Sequence, residues 1–483
     1  MKVILFELNE VPYKVIHHFC KLYPESNLAK VVSKGRKYET YAEDQGHLSP
    51  WITWPSVHRG VTNEKHFISD FGQDLNEQEK QYPAIWNTLA KNGVKVGLFG
   101  SLHTYPVPES IVQRGSPKES SGTFGENFSF YVPDTFAAGS ECFPKKLETF
   151  QKFNLAMARD SSRVVSNKIP GKEAIKFLME LPDMGLKFKT ATDIAAQLVD
   201  ERINKWKVVR RRTYQSIIGF DIFYKQLESR KPDFVTFFTN HVASSQHRYW
   251  AAAFPDDYEN LKLGREWVET YNGEIIYTMK KADKMIGRLI KFMEKNPEYS
   301  LWILSSMGQQ AVEAKEIYTD LFVTNAKKFM DNFDLGTGYY ELKPSMVPQF
   351  NVQVHADKRK EFEDKLATFQ INGQTILSRQ KAEGFYSLDI GFPNLEEGKI
   401  KIELMGQVIP LEHSGMENVK IQDRCGATAY HIPQGSFIIY APSKGLNGND
   451  VASVSTTEIA PTILRNFNIP VPGYMNKGIS LST

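Results

Sequence analysis

Short apolar runs and longer amphipathic stretches alternate along most of the chain. Val3-Ile-Leu-Phe-Glu-Leu8, Val94-Lys-Val-Gly-Leu-Phe99, Phe234-Val-Thr-Phe-Phe238, Leu301-Trp-Ile-Leu304 and Phe437-Ile-Ile-Tyr440 have the length and the β-branched or aromatic content of buried strands. Between them, Pro83 to Asn92 carries apolar residues at helical spacing and stops at Gly93. Tyr271 to Glu294 is a long amphipathic pattern leading into the strand at Leu301. Thr457 to Phe467 reads as a further helix, closed by Ile469-Pro470-Val-Pro472. This alternation predicts an α/β fold whose mostly parallel sheet is sandwiched by helices. Ligands in such sheets sit beyond the carboxyl ends of the strands, so the residues that follow each strand are the ones to read for chemistry.

Two regions break the pattern. Residues 143–230 are charged and helix-rich and predict a helical insertion or cap. Residues 346–420 alternate apolar and polar positions, as in Phe350-Asn-Val-Gln-Val-His355 and Lys399-Ile-Lys-Ile-Glu403, with a turn signal at Asn372-Gly373. They predict a small antiparallel β module. The expected α/β core is then 1–142, 231–345 and 421–483.

Composition narrows the class. Of 483 residues, 41% are hydrophobic and 24% charged, which is ordinary globular chemistry. A formal charge of +3 and the lack of a long basic run argue against a nucleic-acid partner. The short run Lys205 to Arg212 reads as the solvated face of a helix. Three cysteines, Cys20, Cys142 and Cys425, are too few and too scattered for a disulfide framework. Neither a signal peptide nor a transmembrane segment is expected, and the default compartment is cytoplasmic. Oligomeric state stays open.

The strand ends carry polar residues in a telling order: Glu7-Leu-Asn-Glu10, then Trp51-Ile-Thr-Trp-Pro-Ser56. Next come Thr239-Asn-His-Val-Ala-Ser-Ser-Gln-His-Arg-Tyr-Trp250, Ser305-Ser-Met-Gly-Gln-Gln310 and Ala429-Tyr-His-Ile-Pro-Gln-Gly435. The order resembles the alkaline phosphatase superfamily, in particular its type I phosphodiesterase and nucleotide pyrophosphatase branch, with sulfatases more distant. In that branch an Asp ligand ends the first strand, and a Thr-aromatic-Pro motif supplies the nucleophile. An Asp with a His four residues on follows, then Ser-Asp-His-Gly, then a His shortly before a Gly and a strand. The resemblance implies an alkaline-phosphatase-like fold and hydrolysis at a pair of divalent ions, which activate a hydroxyl and neutralise phosphoryl charge.

Carried over residue by residue, the motif puts Thr53 at the nucleophile position and His247 and His431 at two ligands of one metal. The other charged positions are lost. Asn9 stands for the first Asp, Ala243 for the Asp before His247, and Ser306-Met307 for the Asp-His pair. Met is a poor partner for a hard ion. A remade site draws on what is left. Glu7 leaves a buried strand, where a carboxylate is costly unless paired, and it joins His247 and His431 as a candidate ligand. Glu10 and His58 are candidates for acid–base work beside Thr53. Arg59 offers a planar fork for an anion, and Asn9, His241 and Gln309 are candidate substrate contacts. The bland readings are a helix-capping Thr53, surface His58-Arg59, and structural histidines.

Two functions follow. One is a phosphoric or sulfuric ester hydrolase or transferase on a small phosphate-, sulfate- or sugar-containing substrate, using a single divalent ion, zinc by preference, or none. The other is a non-catalytic descendant that binds a phosphorylated or sugar-containing ligand. A metal-independent transferase modifying glycans or nucleotides lies between them.

Overall fold

The computed structural model describes residues 1–112, 123–160, 180–446, 448 and 451–481. Eight strands form the central sheet, in the order Val451–Ser455, Arg36–Tyr41, Phe437–Tyr440, Tyr299–Leu304, Lys2–Leu8, Phe234–Thr239, Val96–Phe99, Phe128–Val132. Phe437–Tyr440 runs against both its neighbours, and every other pairing is parallel. The sheet is the α/β sandwich expected from the alternation. Arg36–Tyr41, Phe128–Val132 and Val451–Ser455 escaped the reading because they carry polar residues or lie beside turns rather than in apolar runs.

Lys2–Leu8 shows how the sheet divides its core. Val3 and Leu5 join one apolar cluster with Trp54, Trp302 and Phe437, while Ile4, Phe6 and Leu8 join another with Phe220, Phe237 and Ile286. Side chains alternate across a strand, so helices must cover both faces. Glu274–Lys295, Arg211–Arg230 and Ile459–Asn466 are among the covering helices. Arg211–Arg230 is therefore a layer of the core, not a peripheral cap. Of the expected helical insertion, residues 161–179 lie outside the described residues. The basic run ahead of this helix is ion-paired, Arg210 with Glu274, Arg211 with Glu201 and Lys207 with Asp200, so its reading as a solvated face does not hold.

The antiparallel part begins earlier than the alternation at 346. Thr319–Val323 pairs with Met416–Lys420 and Phe392–Pro393, and Tyr340–Lys343 edges a sheet with Gln349–Val354, Phe385–Asp389 and Leu377–Ala382. These sheets enclose their own apolar cluster around Phe329, Phe350, Phe362 and Leu388. Among the described residues no helix is long and apolar enough to cross a membrane, and no disulfide joins the three cysteines.

Register sets up the site. Glu7 lies level with Phe238 and with Leu304 in the parallel ladders. Asn9-Glu10, Asn240-His241 and Ser305-Ser306 consequently leave the sheet at one edge.

Candidate active site

Glu10, His247 and His431 meet at that edge. Glu10 Oε2 is 2.9 Å from His247 Nε2 and 3.4 Å from His431 Nε2. Among the described residues this is the one group of three acidic, histidine or cysteine side chains with ligand atoms within 4.8 Å of one another. Glu10 reaches it from a strained backbone with φ of 58°. Gly adopts a left-handed φ freely, whereas for Glu the conformation costs on the order of 1 kcal/mol. His247 lies in the helix His241–Ala253, and His431 in the two-stranded ribbon of Ala429–Ile432 with Gly308–Ala311.

The second nitrogen of each ring fixes its tautomer. His247 Nδ1 donates to the Ala429 carbonyl at 2.9 Å and His431 Nδ1 to the Leu48 carbonyl at 2.8 Å. A carbonyl only accepts, so both Nδ1 atoms carry hydrogen. Each Nε2 thus faces Glu10 either as the N–H of an imidazolium or as a lone pair aimed at a shared cation. A backbone bond from the far nitrogen is the usual support of a metal-ligating His. Zinc bonds of 2.0–2.1 Å in tetrahedral array set ligand atoms about 3.3 Å apart, close to the spacing found. Two His and one Glu is also an established catalytic zinc donor set. The residues present fit one divalent ion.

Without an ion, the three groups hold one another. Burial pushes the Glu10 carboxyl up, but the imidazoles of His431 and His247 outweigh it and keep it well below the usual range. Burial likewise lowers His431, and the Glu10 carboxylate more than reverses this, leaving it raised. Around Glu10, Asn9 Nδ2 donates to Oε1 at 2.8 Å and Gln309 Nε2 donates to Oε2. Gln309 also donates to the Ala243 carbonyl at 3.2 Å, at the position where the motif's Asp is missing.

The other metal position of the motif is electrically neutral. Thr53 Oγ1 shares a 2.8 Å hydrogen bond with Ser306 Oγ, and Thr53, Ser306 and Met307 are fully buried. Trp54 Nε1 donates to Asn9 Oδ1 at 2.8 Å, and Asn9 Nδ2 donates to Asn240 Oδ1 at 2.7 Å. Thr53 sits inside the helix Pro50–Arg59, started by Pro50 after Ser49 and closed by Gly60 at φ 66°. Pro55 leaves the Trp51 carbonyl without its helical donor, and His103 Nε2 supplies one at 2.8 Å.

A cavity of about 340 Å³ opens over Glu10, His247 and His431. Its wall includes Asn9, Asn240, Trp51, Phe136, Tyr430, Gln349 and Asp389, and Arg212 from the expected insertion also reaches it. Thr53 does not line it. The amide chain from Trp54 through Asn9 orients Asn240, whose Oδ1 is occupied, so its Nδ2 is the end left to serve a ligand.

Several candidate residues lie elsewhere. Glu7 does not join the histidines; its carboxylate accepts from His58 Nε2 at 2.7 Å and from Ser101 Oγ at 2.7 Å in the buried core. His58 is spent on that pair and stacks on Trp54, so it is neither surface nor at the cavity. Arg59 donates to the Tyr82 carbonyl at 2.5 Å and pairs with Glu79 at 2.6 Å, which leaves its fork no open anion seat. His241 bonds Thr239 Oγ1 at 2.6 Å and the Thr278 carbonyl at 3.2 Å, behind the site. Asn240, Asp389 and Tyr430 were missed. Asn240 and Tyr430 adjoin singled-out histidines, whereas nothing local marks Asp389.

Comparison with known proteins bears on this geometry. The family model described as "Type I phosphodiesterase / nucleotide pyrophosphatase" matches residues 37–385. No curated relative matches in sequence. Among solved structures the chain is similar to murine ectonucleotide pyrophosphatase / phosphodiesterase 5, at 9% identity over 99% of this chain and 98% of that one, with a TM-score of 0.39. An inactive form of the murine protein in complex with AMP shows 10% identity over 99% and 97%, with a TM-score of 0.40. The human counterpart shows 10% over 98% and 96%, with a TM-score of 0.38. The family match spans well over half of the sequence, and the chain belongs to the type I phosphodiesterase / nucleotide pyrophosphatase family of phosphoester hydrolases.

Proposed function

We propose that the chain hydrolyses phosphodiesters in the cavity above Glu10, His247 and His431, with these three side chains holding one divalent ion and water, not Thr53, attacking phosphorus. The observation that carries this reading is the position of Glu10. Its left-handed backbone brings a carboxylate between two histidines whose far nitrogens are already anchored. A divalent ion bound there neutralises phosphoryl charge and lowers the pKa of water. Zinc is the ion that the donor set favours.

The chain's own residues supply the rest. Asn240 directs a donor into the cavity, where it can hold a phosphoryl oxygen. Asn9 and Gln309 fix the Glu10 carboxylate, so its geometry needs no reorganisation during the reaction. In the overall step the water oxygen bonds to phosphorus, one phosphorus–oxygen ester bond breaks, and the alcohol departs with a proton. Thr53 keeps the family position, but its hydroxyl is sealed against Ser306 and has no exposed surface.

The neutral set Asn9, Thr53, Ser306 and Met307 favours a second reading, a descendant that binds a phosphorylated ligand without cutting it. One experiment separates the two. Zinc per chain is measured by elemental analysis, and aryl phosphodiesters, phosphomonoesters and sulfates are offered to wild type, Glu10→Gln and Thr53→Ala. Zinc-dependent diester turnover that is lost in Glu10→Gln supports the hydrolase. Stoichiometric zinc with no turnover of any ester supports the binder.

A further inference from the structure

The antiparallel module does more than stand beside the core: it builds part of the cavity. Gln349 and Asp389 are direct partners in the pairing of Gln349–Val354 with Phe385–Asp389. Cross-strand partners present their side chains on the same face. Both residues line the cavity and both are half-buried. Among the described residues, neither the Asp389 carboxylate nor the Gln349 amide has a hydrogen-bond or ion-pair partner. Both side chains keep their hydrogen-bonding capacity open towards the cavity, where a ligand can use it.

The chemistry of the wall narrows that ligand. A carboxylate only accepts, so whatever meets Asp389 brings O–H or N–H groups. Arg379 and Asp389 both act on the nearby His47 and Tyr430, and Lys381 acts on His47. With charge of both signs close by, this end of the cavity favours neither an ammonium group nor a second phosphate. Gln349 and the Tyr430 hydroxyl, 3.1 Å from His47 Nε2, each both donate and accept. Neutral vicinal hydroxyls match such a set, and Trp51 and Phe136 add apolar ring faces to the same cavity.

We propose that Gln349 and Asp389 form a subsite for a hydroxyl-rich alcohol, a sugar or polyol, esterified to the phosphate that the site cuts. The proposal rests on the phosphodiester reading above, and its test is built to fail separately. The probes are p-nitrophenyl phosphodiesters whose second alcohol is ethanol, glycerol, glucose or choline, with kcat/KM measured for each. Wild type prefers the glucose or glycerol ester to the ethyl ester by about ten-fold or more, as expected where a site hydrogen-bonds substrate hydroxyls that the ethyl ester lacks. Asp389→Ala brings that ratio towards one, and Asp389→Asn, which keeps an acceptor, holds an intermediate ratio. A ratio unchanged in Asp389→Ala, or a preference for the choline ester, overturns the proposal. If no ester is turned over, the phosphodiester reading fails, and saturation-transfer NMR with methyl glucoside still reads the subsite. Contact seen in wild type and lost in Asp389→Ala keeps it; no contact in wild type removes it.

Discussion

The hydroxyls of Thr53 and Ser306 share a 2.8 Å hydrogen bond in the sealed interior, at positions where the family motif has a nucleophile and a metal-binding Asp. Thr53 Oγ1 also donates to the Ser49 carbonyl at 3.3 Å. Thr53→Ala removes these bonds and leaves Ser306 short of a partner. The expected result is a stability loss of about 1–2 kcal/mol in urea unfolding, with diester turnover kept within about three-fold of wild type. A loss of a hundred-fold or more in kcat with an unchanged unfolding midpoint would return the nucleophile role to Thr53.

Glu10 isolates backbone strain from side-chain chemistry. In zinc-free protein, Glu10→Gly and Glu10→Ala both delete the carboxylate, but only Gly accepts a φ of 58° at no cost. Glu10→Gly should therefore be more stable than Glu10→Ala by about 1 kcal/mol. Neither variant should retain stoichiometric zinc on dialysis. Equal urea midpoints would mean that the turn relaxes once the side chain is gone.

Much of this architecture was legible because its signals are local. Runs such as Leu301-Trp-Ile-Leu304 are apolar on both sheet faces, and the spacing within Tyr271 to Glu294 is helical, so the sandwich could be read directly. The motif order likewise brought Thr53, His247 and His431 to one sheet edge. The fate of each carboxylate was not legible. Glu7 and Glu10 are three positions apart on one strand end, yet Glu7 points into the core towards His58 while the left-handed turn swings Glu10 to the histidines. A backbone sign at one residue decides that, and composition carries no trace of it. Asp389 was hidden for a different reason: only the docking of the module on the core makes it a cavity residue.

The Glu7–His58 pair gives a test of structure without chemistry. His58→Ala leaves the Glu7 carboxylate in the core with Ser101 as its remaining donor, and breaking a buried pair in this way costs about 3–5 kcal/mol. Adding Glu7→Gln should recover a measurable part of the loss, because a neutral amide no longer has to be desolvated as an anion. Urea midpoints for the two single variants and the double variant form the cycle. Additive losses would show that the two residues are not coupled.

The zinc-free site should also imprint a pH dependence on stability. The Glu10 carboxyl lies below its ordinary value of 4.5 because His431 and His247 outweigh burial, so its contribution is present above that pH and fades as pH falls through the depressed value. His431 lies above its ordinary value of 6.5 because Glu10 outweighs burial. Its contribution is complete below pH 6.5 and fades as pH rises through the raised value. The two overlap between 4.5 and 6.5, where the stability difference between wild type and Glu10→Gln in chelator should be largest, declining on the alkaline side. Zinc held at this site would reverse the alkaline limb. It would take the His431 Nε2 lone pair that the proton vacates, so its affinity should climb with pH and the zinc-loaded protein should keep its advantage above pH 7. Urea midpoints from pH 4 to 9, with and without zinc, check both limbs. A difference that stays flat across that range in chelator would show that Glu10 and His431 are not electrostatically coupled.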